Sequence, residues 1–117
     1  MKIALIGPGI MPIPPEGWGG VEHLIWNYYN QMTKRGDEVV IINTKDMSQV
    51  ISTVNSCNFD ALHLHYDNYA NVLPHLNCEK KMITSHYPYL ENPEPQYLFL
   101  YDLMRDCGGI LFLFLIG

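Results

Sequence analysis

The sequence predicts an α/β protein: a doubly wound, Rossmann-like parallel sheet of about five strands with helices on both faces. Three observations predict it. Short apolar runs alternate with amphipathic segments along the chain, the pattern of βα units joined by right-handed crossovers. One run, Glu38-Val-Val-Ile-Ile-Asn43, is continuous and β-branched, as a strand covered on both faces requires. The first run, Ile3-Ala-Leu-Ile6, feeds a glycine- and proline-rich loop over Gly7–Glu22, after which an amphipathic segment begins. Strand, loop and helix N-terminus in that order make a ligand-binding edge in such folds.

Each element follows from local pattern. Met1–Ile6 is the first strand. Val21, Leu24, Ile25, Tyr28 and Met32 recur at helical spacing and define one buried face. Lys34-Arg35-Gly36 ends that helix with two cations and a glycine stop. Asp46 or Ser48 caps a second helix running through about Val54, with Val50, Ile51 and Val54 inward. Phe59-Asp-Ala-Leu-His-Leu-His65 is the third strand, and Tyr69 to Leu76 a short helix. Lys81-Met-Ile-Thr-Ser85 is the fourth strand, and Pro88, Pro93 and Pro95 keep the next stretch in loop. Gln96–Arg105 returns to helical patterning, and Gly109–Gly117 reads as a fifth strand, too short to cross a bilayer as a helix. An apolar strand at the very end leaves a bare sheet edge, which is a pairing hazard. The expectation is one domain over residues 1–117, truncated from something longer, with a homodimer through that strand as another way to cover it.

At 117 residues the chain is large enough for one core but small for a complete enzyme. A formal net charge of −5 and the lack of a basic run argue against nucleic acid as partner. Lys2 is followed by too few apolar residues for a signal peptide. Cys57, Cys78 and Cys107 are widely spaced, match no zinc pattern and read as free thiols of a reducing compartment. The expected location is the cytoplasm, free or peripheral to the membrane.

In such a sheet ligands bind beyond the carboxyl ends of the strands. That criterion selects Gly19, Gly20 and Glu22 after the first strand, His65 and Asp67 after the third, and Ser85, His86 and Tyr87 after the fourth. Gly19 and Gly20 let a ligand approach the unpartnered N–H groups of the first helical turn, where phosphate or diphosphate is the natural guest. A dinucleotide fingerprint is disfavoured: Pro12 stands where the third glycine belongs, and the second strand ends at Asn43-Thr44 rather than at an acid. Glu22, in the first turn, reads as a dipole partner rather than a general base. His86, in Thr84-Ser-His-Tyr-Pro88, ends its strand where it can reach a sugar hydroxyl or a phosphate. His63 and His65 lie on one face of their strand. With Asp67 they suggest a metal site, but no third ligand is evident and a core role is favoured, so no metal is assigned. His23 and His75 fall on helix surfaces. No Ser-His-Asp set, paired glycosidase-like carboxylates or P-loop lysine can be assembled. The chain offers a binding crevice rather than a full catalytic set.

Several of these segments together resemble a known family. Lys2-Ile-Ala-Leu-Ile6, Gly17-Trp-Gly-Gly-Val-Glu22, Lys34-Arg-Gly-Asp-Glu-Val39, Asp60-Ala-Leu-His-Leu-His65 and Thr84-Ser-His86 are similar, in order and spacing, to the N-terminal domain of GT-B glycosyltransferases, most of all the retaining family 4 group. The resemblance runs over about residues 1–90. It implies transfer of a sugar from a nucleotide-sugar substrate to an acceptor (glycan, lipid or small molecule), with retention, no essential metal and no cofactor. By resemblance, Gly19-Gly20 lies against the donor diphosphate or the acceptor, His86 contacts the transferring sugar, and His65 lines the acceptor side. The family's C-terminal domain, with most of the nucleotide site, a paired-glutamate motif and basic diphosphate ligands, has no counterpart in these residues. The expected partner is therefore that missing domain, and the chain alone is expected to be inactive. A stand-alone module binding a phosphorylated or sugar ligand without catalysis is the alternative, and a subunit whose other half is a separate chain is a third.

Overall fold

The computed structural model describes residues 1–17, 19–85 and 110–112. Five strands form one fully parallel sheet: β1 (Lys2–Gly7), β2 (Glu38–Asn43), β3 (Ala61–Leu64), β4 (Lys80–Ser85) and β5 (Ile110–Phe112). Their spatial order is β2-β1-β3-β4-β5. Helix α1 (Gly20–Arg35) links β1 to β2, α2 (Met47–Cys57) links β2 to β3, and a 3₁₀ helix (Asp67–His75) links β3 to β4. This is the doubly wound α/β sheet that the sequence predicts.

The order reverses at β1: the chain leaves it toward β2, then crosses back to β3 on the other side. Side-chain alternation therefore serves two different layers. Ala4, Ile6, Ile42, Leu62, Leu64 and Ile83 pack against Val50 and Val54 of α2 and Leu73 of the 3₁₀ helix. On the opposite face Ile3 and Leu5 pack against Ile25 of α1, flanked by half-buried Val21, Tyr28, Tyr29 and Met32. Each fully buried aliphatic side chain stabilises by roughly 1.5–3 kcal/mol, so the α2 face carries most of the apolar stabilisation.

Helix ends follow local chemistry. Gly36 takes the left-handed conformation (φ 104°), and the amides of Gly36 and Asp37 bond the carbonyls of Thr33 and Met32, closing α1 in a Schellman arrangement. Asp46, not Ser48, caps α2, accepting from the amides of Ser48 and Gln49. At the other end of α2 the Lys2 ammonium donates to the Cys57 carbonyl at 2.7 Å and lies 5.3 Å over the Phe59 ring, a cation at a helix C-terminus. The Arg35 guanidinium, then the chain's own ammonium group, hold the Asp37 carboxyl below its usual range.

Three elements differ from expectation by two residues or more at an end. The segment expected as a short helix over Tyr69 to Leu76 is a 3₁₀ helix starting at Asp67; Pro74 within it lacks an N–H and would clash with the preceding turn of an α-helix. Helix α2 runs past Val54 to Cys57, where Asn58 adopts the left-handed conformation (φ 53°). β3 is shorter than Phe59–His65, although the His65 amide still bonds the Ile6 carbonyl at 3.0 Å. The helix expected over 96–105, residues 113–117 of the last strand and Cys107 lie outside the described residues; Cys57 and Cys78 are free thiols. No helix among the described residues is long and apolar enough to cross a membrane.

Candidate functional site

The pairings Gly7↔Asn43, Ile6↔Leu64 and Leu64↔Ile83 bring the carboxyl ends of the strands to one edge. The switch in strand order falls between β1 and β3, so the crevice of this fold opens there, between the β1–α1 loop and the turn after β3.

The loop is held in place from three sides. Gly9 (φ 71°) donates its amide to Asn43 Oδ1 at 2.8 Å, and Asn43 Nδ2 donates to the Met11 carbonyl at 2.8 Å. A Cβ on Gly9 would stand 2.3 Å from the carbonyl carbon of Thr44 and 2.5 Å from the amide nitrogen of Lys45, so loop and β2 meet backbone to backbone. The Tyr69 hydroxyl donates to the Pro8 carbonyl at 2.6 Å. Burial, then neighbouring Tyr66, pushes that hydroxyl above its usual range, which keeps it a donor. At the far end His23 Nε2 donates to the Gly17 carbonyl at 2.8 Å, which fixes the proton on that nitrogen.

Gly19 then precedes α1 with φ 153° and offers no side-chain cap. The first amide to find a helical acceptor is that of His23, on the Gly19 carbonyl at 2.9 Å. A Cβ at Gly20 would meet nothing within 4 Å among the described residues. Glu22 is 6% exposed, and its carboxyl folds back toward Gly19: a Cβ there would lie 3.3 Å from both Cδ and Oε1. Glu22 thus sits in the first turn of α1 with its carboxyl beside Gly19, the position of a dipole partner.

His65 is fully buried, its ring 3.9 Å from that of His63, and both face Tyr28 of α1 at 5.6 and 5.7 Å. His63 Nε2 bonds Thr84 Oγ1 at 2.5 Å, a pairing of β3 with β4 beneath α1. The two histidines share one face, as alternation predicts. Among the described residues no group of three or more His, Cys, Asp or Glu side chains could hold a metal ion. Asp67 opens the 3₁₀ helix and Ser85 ends β4, both at the same edge by backbone position. His86 and Tyr87 lie outside the described residues. The structure thus brings Gly19, Gly20 and Glu22 together, and sets His65 on the neighbouring strand at the same edge.

One concavity flanks this edge and another lies at the opposite end of the strands. One of about 490 Å³ lies at the end of β2, lined by Pro12, Ile13, Asn43, Thr44 and Gln49. A larger groove of about 610 Å³ runs between Tyr28, Met32 and the exposed side of β3–β4, with Lys80 and Met82 on its wall. It starts from Met1 and Ala61, at the amino ends of the strands, and is therefore not the ligand edge.

Sequence reasoning missed Asn43, Tyr69 and His23 as braces of the loop. Asn43 registers in the sequence only as the absence of an acid. The burial of Glu22 had a signal: positions 22, 25, 29 and 32 follow the 3-4-3 spacing of a buried stripe, and only its carboxylate argued otherwise.

No family model matches this chain, and no curated protein matches it. Among solved structures it is similar to the one described as the crystal structure of AviGT4, a glycosyltransferase involved in Avilamycin A biosynthesis. The identity is 16% and the TM-score 0.58, over 74% of this chain and 32% of that one. At that identity the likeness establishes the parallel α/β fold. This chain spans about a third of the length of that protein.

Proposed function

We propose that this chain is the acceptor-side half of a glycosyltransferase, in which a second domain completes the active site. The observation that carries the reading is the N-terminus of α1 at the switch point of the sheet, which no described side chain caps and beside which the Glu22 carboxyl lies. The likeness in fold to a solved glycosyltransferase, of which this chain covers 32%, supports it. The finer form of the proposal is a retaining, family 4-like enzyme of GT-B architecture with a nucleotide sugar as donor substrate and no cofactor.

In this reading the chain's residues bind and orient the acceptor. The helix N-terminus and Glu22 hold acceptor groups, His65 backs the acceptor wall, Asp67, Ser85 and Tyr87 complete it, and His86 touches the transferring sugar. The bond from the sugar's anomeric carbon to the diphosphate oxygen breaks as the bond to the acceptor oxygen forms, and the acceptor hydroxyl passes its proton to the departing diphosphate. The departing diphosphate needs cationic ligands, and residues 8–19 supply none: they contain Glu16 and no lysine or arginine. Donor binding therefore belongs to the second domain, and the isolated chain does not turn over. The cytoplasm, where free thiols persist, is the setting this implies. The outer edge of β5 is where a second copy of the chain would add a strand, and sedimentation of the chain as a monomer would remove that dimer.

Determining the coding sequence past the codon for Gly117 tests the reading. Further βα units with a paired-glutamate motif, in the same frame or in an adjacent gene, are expected. A stop codon with no such gene nearby would count against catalysis.

A further inference from the structure

We propose that two copies of this chain join through the outer edge of β2, extending the sheet across a twofold axis. The inference stands apart from the transferase reading. β2 is the outermost strand on its side and, among the described residues, pairs with β1 alone. Edge strands are ordinarily blunted by a lysine, a proline, a bulge or shortness. β2 has none of these: it runs for six residues in unbroken register with β1, and Val39–Ile42 are all β-branched. The strand at the other edge, β5, has three described residues. The Glu38 amide donates inward to the Met1 carbonyl, so Val39, Ile41 and Asn43 turn their backbone groups outward.

Helix α1 supplies a second observation. Trp26 and Tyr29 stack at 5.0 Å with their rings 9° apart, and Trp26, half-buried, belongs to neither core cluster. Tyr28 leans the other way, toward His63 of β3. At about 100° per residue Trp26 lies across the helix from Tyr28, so the stack sits on the flank toward β2. Spacing then joins the two observations. α1 packs on both β1 and β2, over Ile3, Leu5, Val39 and Ile41. With strands about 4.8 Å apart, a twofold axis half a spacing outside β2 lies about 5 Å to the side of α1. The two copies of α1 then run antiparallel about 10 Å apart, the separation of packed helices. The Trp26–Tyr29 stacks fall between them, as aromatic anchors do in interfaces.

Charge selects one register. Outward-facing residues must meet outward-facing residues, which leaves pairings centred on Val40, Ile41 or Ile42. Centring on Val40 opposes Arg35 to Lys45, and centring on Ile42 opposes Glu38 to Asp46, like charges in both cases. Centring on Ile41 pairs Ile41 with itself and Val39 with Asn43. It sets Asp37 opposite Lys45 and the exposed Glu38 opposite Thr44, with no like charges facing.

Sedimentation equilibrium of the 117-residue chain tests this. The wild-type chain is expected to dimerise reversibly. Thr44→Lys puts a cation opposite Glu38 twice over and should tighten the dimer roughly fivefold. Thr44→Glu puts like charges there and should weaken it by a similar factor. Trp26→Ala should weaken it roughly tenfold or more, with the far-ultraviolet circular dichroism unchanged. A chain that stays monomeric up to its solubility limit would overturn the proposal. So would a dimer indifferent to all three substitutions, which would put the contact at β5 instead. Thr44 variants that shift the equilibrium in the same direction would overturn it as well.

Discussion

The two faces of the sheet are built differently. Toward α2 and the 3₁₀ helix, Leu62, Leu64, Ile83, Val50 and Val54 form one continuous apolar layer. Toward α1 the buried apolar set shrinks to Ile3, Leu5 and Ile25, and the remaining buried positions go to Glu22, His63, His65 and Thr84. The first face stabilises the domain by burial alone. The second buries groups that need hydrogen bonds, and an unmet bond there costs about 1–3 kcal/mol. These buried polar groups lie under the helix that begins at the carboxyl edge of the sheet.

Substitutions can break that contrast. The largest effect is expected on the apolar face: Leu64→Ala should cost roughly 2–5 kcal/mol in urea unfolding, because Leu64 is 1% exposed in the middle of the layer. Gly9→Ala comes next, at about 1–3 kcal/mol, since its Cβ would strike the backbone of Thr44 and Lys45 and its φ is positive. Its signature is local, with faster hydrogen exchange of the residue-9 amide, which Asn43 Oδ1 accepts. On the α1 face Thr84→Val removes the acceptor–donor pair with His63 while keeping the volume, for a loss of about 1 kcal/mol. If Thr84→Val costs as much as Leu64→Ala, the α1 face is not the polar, weaker layer described above.

The smallest effect sharpens the comparison at the rim, away from either core. Asp37 has its carboxyl pKa held below the unfolded value of 3.8 by Arg35 and the N-terminal ammonium. Such a group contributes stability above the unfolded value and loses it as pH falls through the folded one. Wild-type stability should therefore drop below about pH 4 more steeply than that of Asp37→Asn in acid titration followed by circular dichroism.

The sequence made the architecture readable where one local rule decided the outcome. Gly36 after Lys34-Arg35 ends α1, the β-branched run 38–43 is a strand covered on both faces, and alternation puts His63 and His65 on one face. It was less readable where two rules compete. The short helix expected over Tyr69 to Leu76 is a 3₁₀ helix with Pro74 inside it, and either Asp46 or Ser48 satisfied the local rule for a cap. The candidate site was legible as positions at strand ends, but not as contacts. That Asn43 staples the loop through Gly9 and Met11 depends on a register between β1 and β2 that no local pattern encodes. That Glu22 is buried follows from its place on the stripe of α1 that packs on the sheet, which spacing suggests and its charge conceals.

Sugar transfer itself tests the central claim most directly. The purified 117-residue chain should move no label from radiolabelled nucleotide sugars to a panel of glycosides, whereas the same chain joined to its βα continuation should do so. Turnover by the 117-residue chain alone would contradict the assignment of donor binding to a second domain, and a completed protein that neither binds nor transfers from any nucleotide sugar would contradict the function.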